Sequence, residues 1–373
     1  MYIWQQDKWP HFHWDADTLL APLAEARYKQ GQLLGRMHQL GFNLRREAEW
    51  RATVEDVVRS SEIEGEKLDR ADVRSSVARR LGLPDAGLSS PDRKVEGVVE
   101  MMLDAMQHHE QPLTAERLFG WQAALFPTGY SGMRKIEVGN WRTDTDGAMQ
   151  VVSGAEGRQK IHYQAPPAKV IKSEIAQFLS WFNAPPSMDG LLRSGIAHLW
   201  FVTLHPFEDG NGRLARAIAD LALAQMETTG QRFYSVSSRI QQDRKRYYDV
   251  LEQTQKGGLD ITGWLTWFVE SFSLAVDTAQ DQSRSVLRKA EFWQKFGEEP
   301  LTARQKNILN RFMDGFEGKL TARKWAALGK CSVDTANRDI NDLLARTLLT
   351  RNPGGGKRTS YSVPGFETED QSV

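Results

Sequence analysis

Disulfide chemistry is missing from this chain, because its 373 residues include a single cysteine, Cys331. An internal disulfide is excluded, which fits a reducing compartment. Net charge is missing too: 48 Lys and Arg stand against 48 Asp and Glu, so no global field points to nucleic acid or to an acidic partner. No apolar run reaches the ~18 residues of a membrane span. No N-terminal stretch pairs a basic start with an apolar core. A soluble, cytoplasmic chain without a membrane partner is expected. Strand-like alternation is scarce and helical spacing is everywhere, so the fold class is mainly α. The length leaves room for two or three domains and a sizeable core.

What the chain does have is the run His205-Pro206-Phe207-Glu208-Asp209-Gly210-Asn211-Gly212-Arg213-Leu214-Ala215-Arg216. Apolar helical stretches flank it, Ile196 to Leu204 before and Leu214 to Met226 after, so the run is a loop between two buried helices. Gly210 and Gly212 let the backbone turn with unusual dihedrals around Asn211, aiming successive N–H groups inward at a helix N-terminus, which makes an anion cradle. Arg213 and Arg216 fall on the first turn of that helix, where two guanidinium forks can grip one polyphosphate. Asp209 offers a hard oxygen ligand suited to Mg²⁺ shared with those phosphates. His205, with an ordinary pKa near neutrality, can take a proton from an attacking hydroxyl.

This run resembles the signature of the Fic family, His-x-Phe-x-(Asp/Glu)-Gly-Asn-Gly-Arg-x-x-Arg, at every specified position. The resemblance implies transfer of AMP from ATP to a Ser, Thr or Tyr hydroxyl of a target protein, the chain itself included. It implies His205 as general base and Asp209 as the Mg²⁺ ligand. It also implies Asn211 with the Gly210 and Gly212 amides on the α-phosphate, and Arg213 and Arg216 on the β- and γ-phosphates. The expected fold is a Fic-type helical core with a β-hairpin flap, followed by a small α/β winged-helix domain.

From the start of the chain, Met1 to Trp14 reads as an aromatic arm tucked onto the first helices, with His11 and His13 structural. A helix is expected from Thr18 to about Leu44 and another from about Glu47 to Glu64. The second ends Ser60-Ser61-Glu62-Ile63-Glu64-Gly65-Glu66. Ser60 and Glu64 share one helix face, and Gly65 is a natural left-handed stop. The run resembles the family's inhibitory motif, (Ser/Thr)-x-x-x-Glu-(Gly/Asn). That resemblance implies that Glu64 pairs with Arg216 and takes the place of the γ-phosphate. Dimerisation to a homodimer would tighten or relieve that clamp.

Helices follow from Leu68 to Arg80, from Ser90-Pro91-Asp92 through Met106, and from Thr114 through Phe126, with a break at Leu83 to Gly87. Met149 to Val152 and Gln159 to Tyr163, separated by Gly154-Ala155-Glu156-Gly157, read as a β-hairpin. In the family a hairpin here is the flap that holds the target segment by strand addition, which would engage Val151, Val152, Ile161 and His162. Val170 to Trp181 and Leu191 to Leu204 lead into the motif. Tyr247, Tyr248 and Gln255 occur where Fic proteins line the adenine pocket.

Thr262 to Val276 closes the core. The expected division is 1–90 N-terminal, with the inhibitory helix at about 47–65, then 91–276 catalytic core, 277–300 connector, 301–363 winged helix and 364–373 tail. In the last domain Thr302 and Thr321 start helices, and a third runs from Ser332 to Arg346. Thr335, Asn337, Arg338 and Asn341 point outward on it, and Ile340, Leu343 and Leu344 inward. A hairpin follows, with Lys357 and Arg358 in its turn. The unit resembles a winged helix-turn-helix. Leu301 to Val363 holds twelve Lys or Arg against five Asp or Glu, and a basic recognition helix and wing are what DNA phosphates call for.

Three rival readings stay open. Relatives that transfer a terminal phosphate carry Lys where this chain has Gly212, which disfavours that branch. A hydrolase removing AMP would use Glu64 to position water, and a DNA-binding regulator would use the Fic domain only to sense nucleotide.

Overall fold

The computed structural model describes residues 1–83, 91–145, 147–154, 158–297, 299–313, 319–353 and 359–366. Two compact units emerge, Met1–Ala279 and Gln280–Val373. No helix among the described residues is long and apolar enough to cross a membrane.

In the first unit α1 spans Ala16–Gln39, capped by the Asp15 carboxylate, which accepts from the Asp17 and Thr18 amides. α2 spans Phe42–Ile63 and begins at Gly41. The expected helix to Leu44 is therefore cut short, because Leu40 and Gly41 leave helical dihedrals and α2 starts earlier than its periodicity indicated. α3 (Arg70–Arg80), α4 (Arg93–Gln107) and α5 (Ala115–Leu125) each start on a side-chain cap, from Asp69, Asp92 and Thr114. Such caps satisfy amides that a helix start leaves unpaired. Of the break expected at Leu83 to Gly87, residues 84–87 lie outside the described residues.

Two antiparallel hairpins follow. β1 (Tyr130–Ser131) pairs with β2 (Arg134–Lys135), a short element the sequence did not announce. β3 (Gln150–Ser153) pairs with β4 (Lys160–Gln164), with Val151 opposite Tyr163, Val152 opposite Ile161, and an irregularity between Val151 and Val152. Its expected turn residues 155–157 lie outside the described residues. α6 (Ala168–Asn183), α7 (Gly190–Leu204) and α8 (Asn211–Glu227) come next. Every residue of α7 from Leu191 to Leu204 is buried, as is α8 from Arg213 to Ala224. The all-round burial explains why both read as apolar runs rather than as one-sided stripes. α9 (Val236–Gln242), α10 (Arg244–Gln255) and α11 (Thr262–Phe296) complete the order. α11 runs unbroken past Val276, since no Gly or Pro interrupts it before Gly297.

The aromatic arm meets α7, the end of β4 and the 259–261 segment. Trp9 and Phe12 meet the Trp200 ring of α7 edge-on. The Trp4 indole donates to the Gln164 carbonyl at the end of β4, at 2.8 Å, and the His13 backbone bonds Leu259 and Ile261. Trp200 supplies the large apolar partner that these rings need.

The second unit contains α12 (Ala303–Met313), α13 (Ala322–Leu328) and α14 (Val333–Ala345), then β5 (Thr350–Arg351) paired with β6 (Tyr361–Ser362). Thr302, Thr321 and Ser332 cap the three helices. Trp325, Ile308, Leu309, Ile340, Leu343 and Leu348 form its core. The expected wing turn with Lys357 and Arg358 lies outside the described residues. The third helix is not basic. Of its acidic residues Asp339 is buried on Arg304, at 2.7 and 3.0 Å, and Asp342 pairs with Arg346 at 2.9 Å. Its outward face carries Asp334 beside Arg338.

Candidate active site

The α7–α8 connection is a rigid loop. His205 ends α7 in a left-handed conformation, φ 49° and ψ 55°, a region that costs a non-glycine residue about 1–3 kcal/mol unless neighbours hold it. Arg142 does the holding. Its guanidinium, 3% exposed, donates from Nε to the His205 carbonyl at 2.7 Å, from Nη2 to the Pro166 carbonyl at 2.5 Å and from Nη1 to Asp144 at 2.8 Å. Its amide donates to the Pro206 carbonyl at 2.9 Å. Phe207 is fully buried, its ring 4.9 Å from Trp141 and 6.2 Å from Phe119. The Asn211 side chain closes the loop, accepting from the Phe207 amide at 3.0 Å and donating to its carbonyl at 2.8 Å.

Gly210, at φ 90°, caps α8. A Cβ there would come within 3.0 Å of the Phe126 ring and 3.1 Å of Leu125, so the dihedral favours glycine and a larger residue would also press on both side chains.

The His205 imidazole is half-buried, with Nδ1 3.1 Å from the Val202 carbonyl. A carbonyl only accepts, so Nδ1 carries the proton and Nε2 is left as an acceptor. Burial lowers the His205 pKa from its ordinary value, and Arg142 adds to the effect against the opposing pull of the Val202 hydrogen bond, Glu64 and Asp209. The neutral ring is a base at physiological pH.

Arg213 and Arg216 are 4% and 2% exposed. Arg216 donates from Nε to the Ser60 hydroxyl at 2.9 Å and from Nη2 to the Ser60 carbonyl at 2.8 Å, and its Nη2 is also 2.8 Å from Glu64 Oε1. Arg213 pairs with Glu66 at 2.5 Å, its guanidinium 5.1 Å from the Phe126 ring centre. Among the described residues Arg213 Nε and Arg216 Nη1 are buried without a hydrogen-bond partner. Burial disfavours the Arg216 charge, but Glu64 and the Tyr247 and Tyr248 hydroxyls raise its pKa above the usual value.

The Glu64 carboxylate also fills the space that a side chain at position 212 would occupy, Oε1 lying 2.1 Å from where a Gly212 Cβ would stand. An anionic group therefore rests against the first turn of α8, where unpaired amides and the helix dipole favour it.

A family model described as Fic/DOC matches residues 112–223, and one described as a domain of unknown function (DUF4172) matches residues 2–83. Residues 112–223 are a Fic/DOC family domain. A probable protein adenylyltransferase of Aquifex aeolicus is 26% identical over 99 residues, covering 26% of this chain and 28% of that protein. The protein adenylyltransferase Fic of Culex quinquefasciatus is 24% identical over 246 residues, 62% of this chain and 42% of that protein. The matches thus span less than half the length of these curated relatives. A crystal structure of a Fic family protein from Desulfovibrio desulfuricans has the same fold, with a TM-score of 0.56 at 18% identity, covering 95% of this chain and 98% of that one.

Within the Fic domain Asp209 accepts from the Ser131 hydroxyl on the β1–β2 hairpin and from the Gly210 amide at 2.5 Å. No group of three or more His, Cys, Asp or Glu able to hold a metal occurs among the described residues. The Asp209 carboxylate is a hard oxygen donor in the same loop as the two arginines. That donor fits Mg²⁺ of the kind that takes its other ligands from phosphates and water.

Three predicted residues are used differently from expectation. The Asn211 side chain spends its oxygen and one of its two N–H groups on the Phe207 backbone. Tyr247 and Gln255, 1% and 4% exposed, are core: the Tyr247 hydroxyl meets His198 Nε2 at 3.1 Å and the Gln255 amide meets Thr203 at 3.3 Å. Neither offers a free face for adenine. Tyr248 is half-buried and donates to the Ile63 carbonyl at the end of α2, at 3.2 Å.

On the β3–β4 hairpin Val152 and Ile161 are exposed and Val151 is half-buried. His162 is not free surface: Nδ1 meets Glu252 of α10 and Nε2 meets Ser153, both at 2.5 Å. Arg142, Glu66 and Ser131 carried no local signal. Their partners lie far along the chain, and only the position of Arg142 just ahead of the hairpin was visible.

Proposed function

We propose that the protein transfers AMP from ATP to the hydroxyl of a Ser, Thr or Tyr on a target protein, and to itself, and that Glu64 holds it inhibited. The observation that carries this reading is the His205 ring. It is neutral, its Nδ1 is fixed on a carbonyl, and Nε2 is free to accept beside an anion cradle with two buried arginines.

In this reading the target segment lies along the β3–β4 hairpin at Val151, Val152, Ile161 and His162. The hydroxyl oxygen bonds to the α-phosphorus as its proton passes to His205 Nε2. The bond from phosphorus to the bridging oxygen breaks, and pyrophosphate leaves with its charge matched by Arg213 and Arg216. Their unpartnered buried N–H groups support a phosphate-binding role. Main-chain amides at Asn211 and Gly212 would receive the α-phosphate, joined by that of Gly210 once it leaves the Asp209 carboxylate, and Tyr248 is the remaining ring for adenine. Asp209 would hold Mg²⁺, which when bound offsets phosphate charge.

Inhibition follows from one contact. Glu64 occupies Arg216 and covers Gly212, so the γ-phosphate must displace it. Transfer of label from α-labelled ATP to protein tests the reading. Release of AMP from a pre-modified target, lost in Glu64→Gln, would favour the hydrolase instead.

For the second unit we propose contact with DNA phosphates through the exposed Arg323, Lys330, Arg338 and Arg351, its positive charge lying mainly outside α14. Duplex binding whose affinity falls steeply with salt would support it, and no binding at low salt would exclude it.

A further inference from the structure

The turn that ends α2 presents two carboxylates, not one. Gly65 is left-handed at φ 82°, and the next amide, Glu66 N–H, folds back to the Ser61 carbonyl at 3.0 Å. The fold-back is a Schellman-type stop, and it returns Glu66 to the helix end beside Glu64. Glu64 then takes Arg216 and Glu66 takes Arg213, at 2.8 and 2.5 Å. The second pair is well shielded, with side chains 5% and 17% exposed. The other Glu66 oxygen is held by Lys94 at the start of α4, so the carboxylate is fixed from both sides.

We propose that Glu66 is a second inhibitory residue. It occupies Arg213 as Glu64 occupies Arg216, and the Glu64-Gly65-Glu66 turn closes both arms of the polyphosphate clamp. This rests on the reading of the two arginines as a polyphosphate clamp. It follows that removing Glu64 alone leaves Arg213 neutralised. A nucleoside triphosphate must then still displace Glu66, whereas a monophosphate, which needs neither arginine, is indifferent to it.

The test is calorimetric titration of ATP and of AMP, with Mg²⁺, into the full chain carrying His205→Ala to prevent turnover. Glu64→Gly, Glu66→Gln and the double substitution are added to that background. Glu66→Gln should tighten ATP binding about tenfold, the order of change expected when one charge-assisted competitor is lost, and leave AMP unchanged. The double variant should bind ATP more tightly than Glu64→Gly. Glu66→Ala repeats the comparison without the side chain, and thermal unfolding checks that each variant is folded.

Unchanged ATP affinity in both Glu66 variants, or equal gains for ATP and AMP, would overturn the proposal. The same substitutions with His205 intact separate the two readings. Tight binding without label transfer in the Glu64→Gly, Glu66→Gln chain would remove the AMP-transfer reading and leave the second clamp. Transfer by Glu64→Gly that Glu66→Gln does not improve, with binding also unmoved, would remove the second clamp alone.

Discussion

Arg142 donates from Nε to the carbonyl of His205 at 2.7 Å, fixing the left-handed residue on which the proposed chemistry depends. Arg142→Ala is expected to free that carbonyl and let the imidazole drift. Since a misplacement of about 1 Å can cost about 10²-fold in rate, label transfer in a Glu64→Gly background should fall by about that factor. Circular dichroism should still show the helical fold. Full activity would show that the loop holds His205 without Arg142.

The pH dependence has a defined sign. Because burial lowers the His205 pKa, the neutral base persists below its ordinary value of 6.5. The acid limb of the kcat/KM profile should therefore inflect below 6.5 and move upward in Arg142→Met, which removes a nearby positive charge.

Stability should follow the same direction. His198 is fully buried, and burial, with Arg216, pushes it down to about 3. The unfolded chain takes up a proton near 6.5 that the folded chain refuses until about 3. Stability from this group is thus complete above the unfolded value and lost as pH falls through that window. His198→Gln should flatten the fall in Tm on acidification, and an unchanged slope would count against this assignment.

Gly212→Ala reports on Glu64 directly. The added Cβ would stand 2.1 Å from Glu64 Oε1, and the three nearest atoms all belong to Glu64. The carboxylate is the far end of a flexible, 31% exposed side chain, so it should move aside and weaken its pairing with Arg216, at a cost of about 1 kcal/mol or less. In Glu64→Gly the loss should nearly vanish, a coupling that denaturant titration of the four proteins would measure.

How much of this was legible before the structure depends on how local each signal is. The loop from His205 to Arg216 is contiguous, so glycines, base and arginines could be read together. Ser60, Glu64 and Gly65 sit on one helix end and were likewise readable. Arg142 and His205 are 63 residues apart and Glu66 and Arg213 are 147 apart, and no spacing rule links such pairs.

Tyr247 and Gln255 were placed at an adenine pocket by resemblance, and their burial against His198 and Thr203 was not legible in the sequence. Periodicity marks a helix face as partly apolar but does not say whether it lines a pocket or packs on His198 and Thr203. In the last unit the count of basic residues was sound, yet counting cannot tell that Arg304 and Arg346 are paired with aspartates.

The central claim is that Glu64 restrains an AMP-transferring His205. Its most direct test is incubation of α-labelled ATP and Mg²⁺ with the native chain, Glu64→Gly, and Glu64→Gly with His205→Ala, each with and without cell extract. The account predicts strong labelling of protein by Glu64→Gly, weak labelling by the native chain, and none once His205 is replaced. Equal labelling by all three, or none by any, would contradict it.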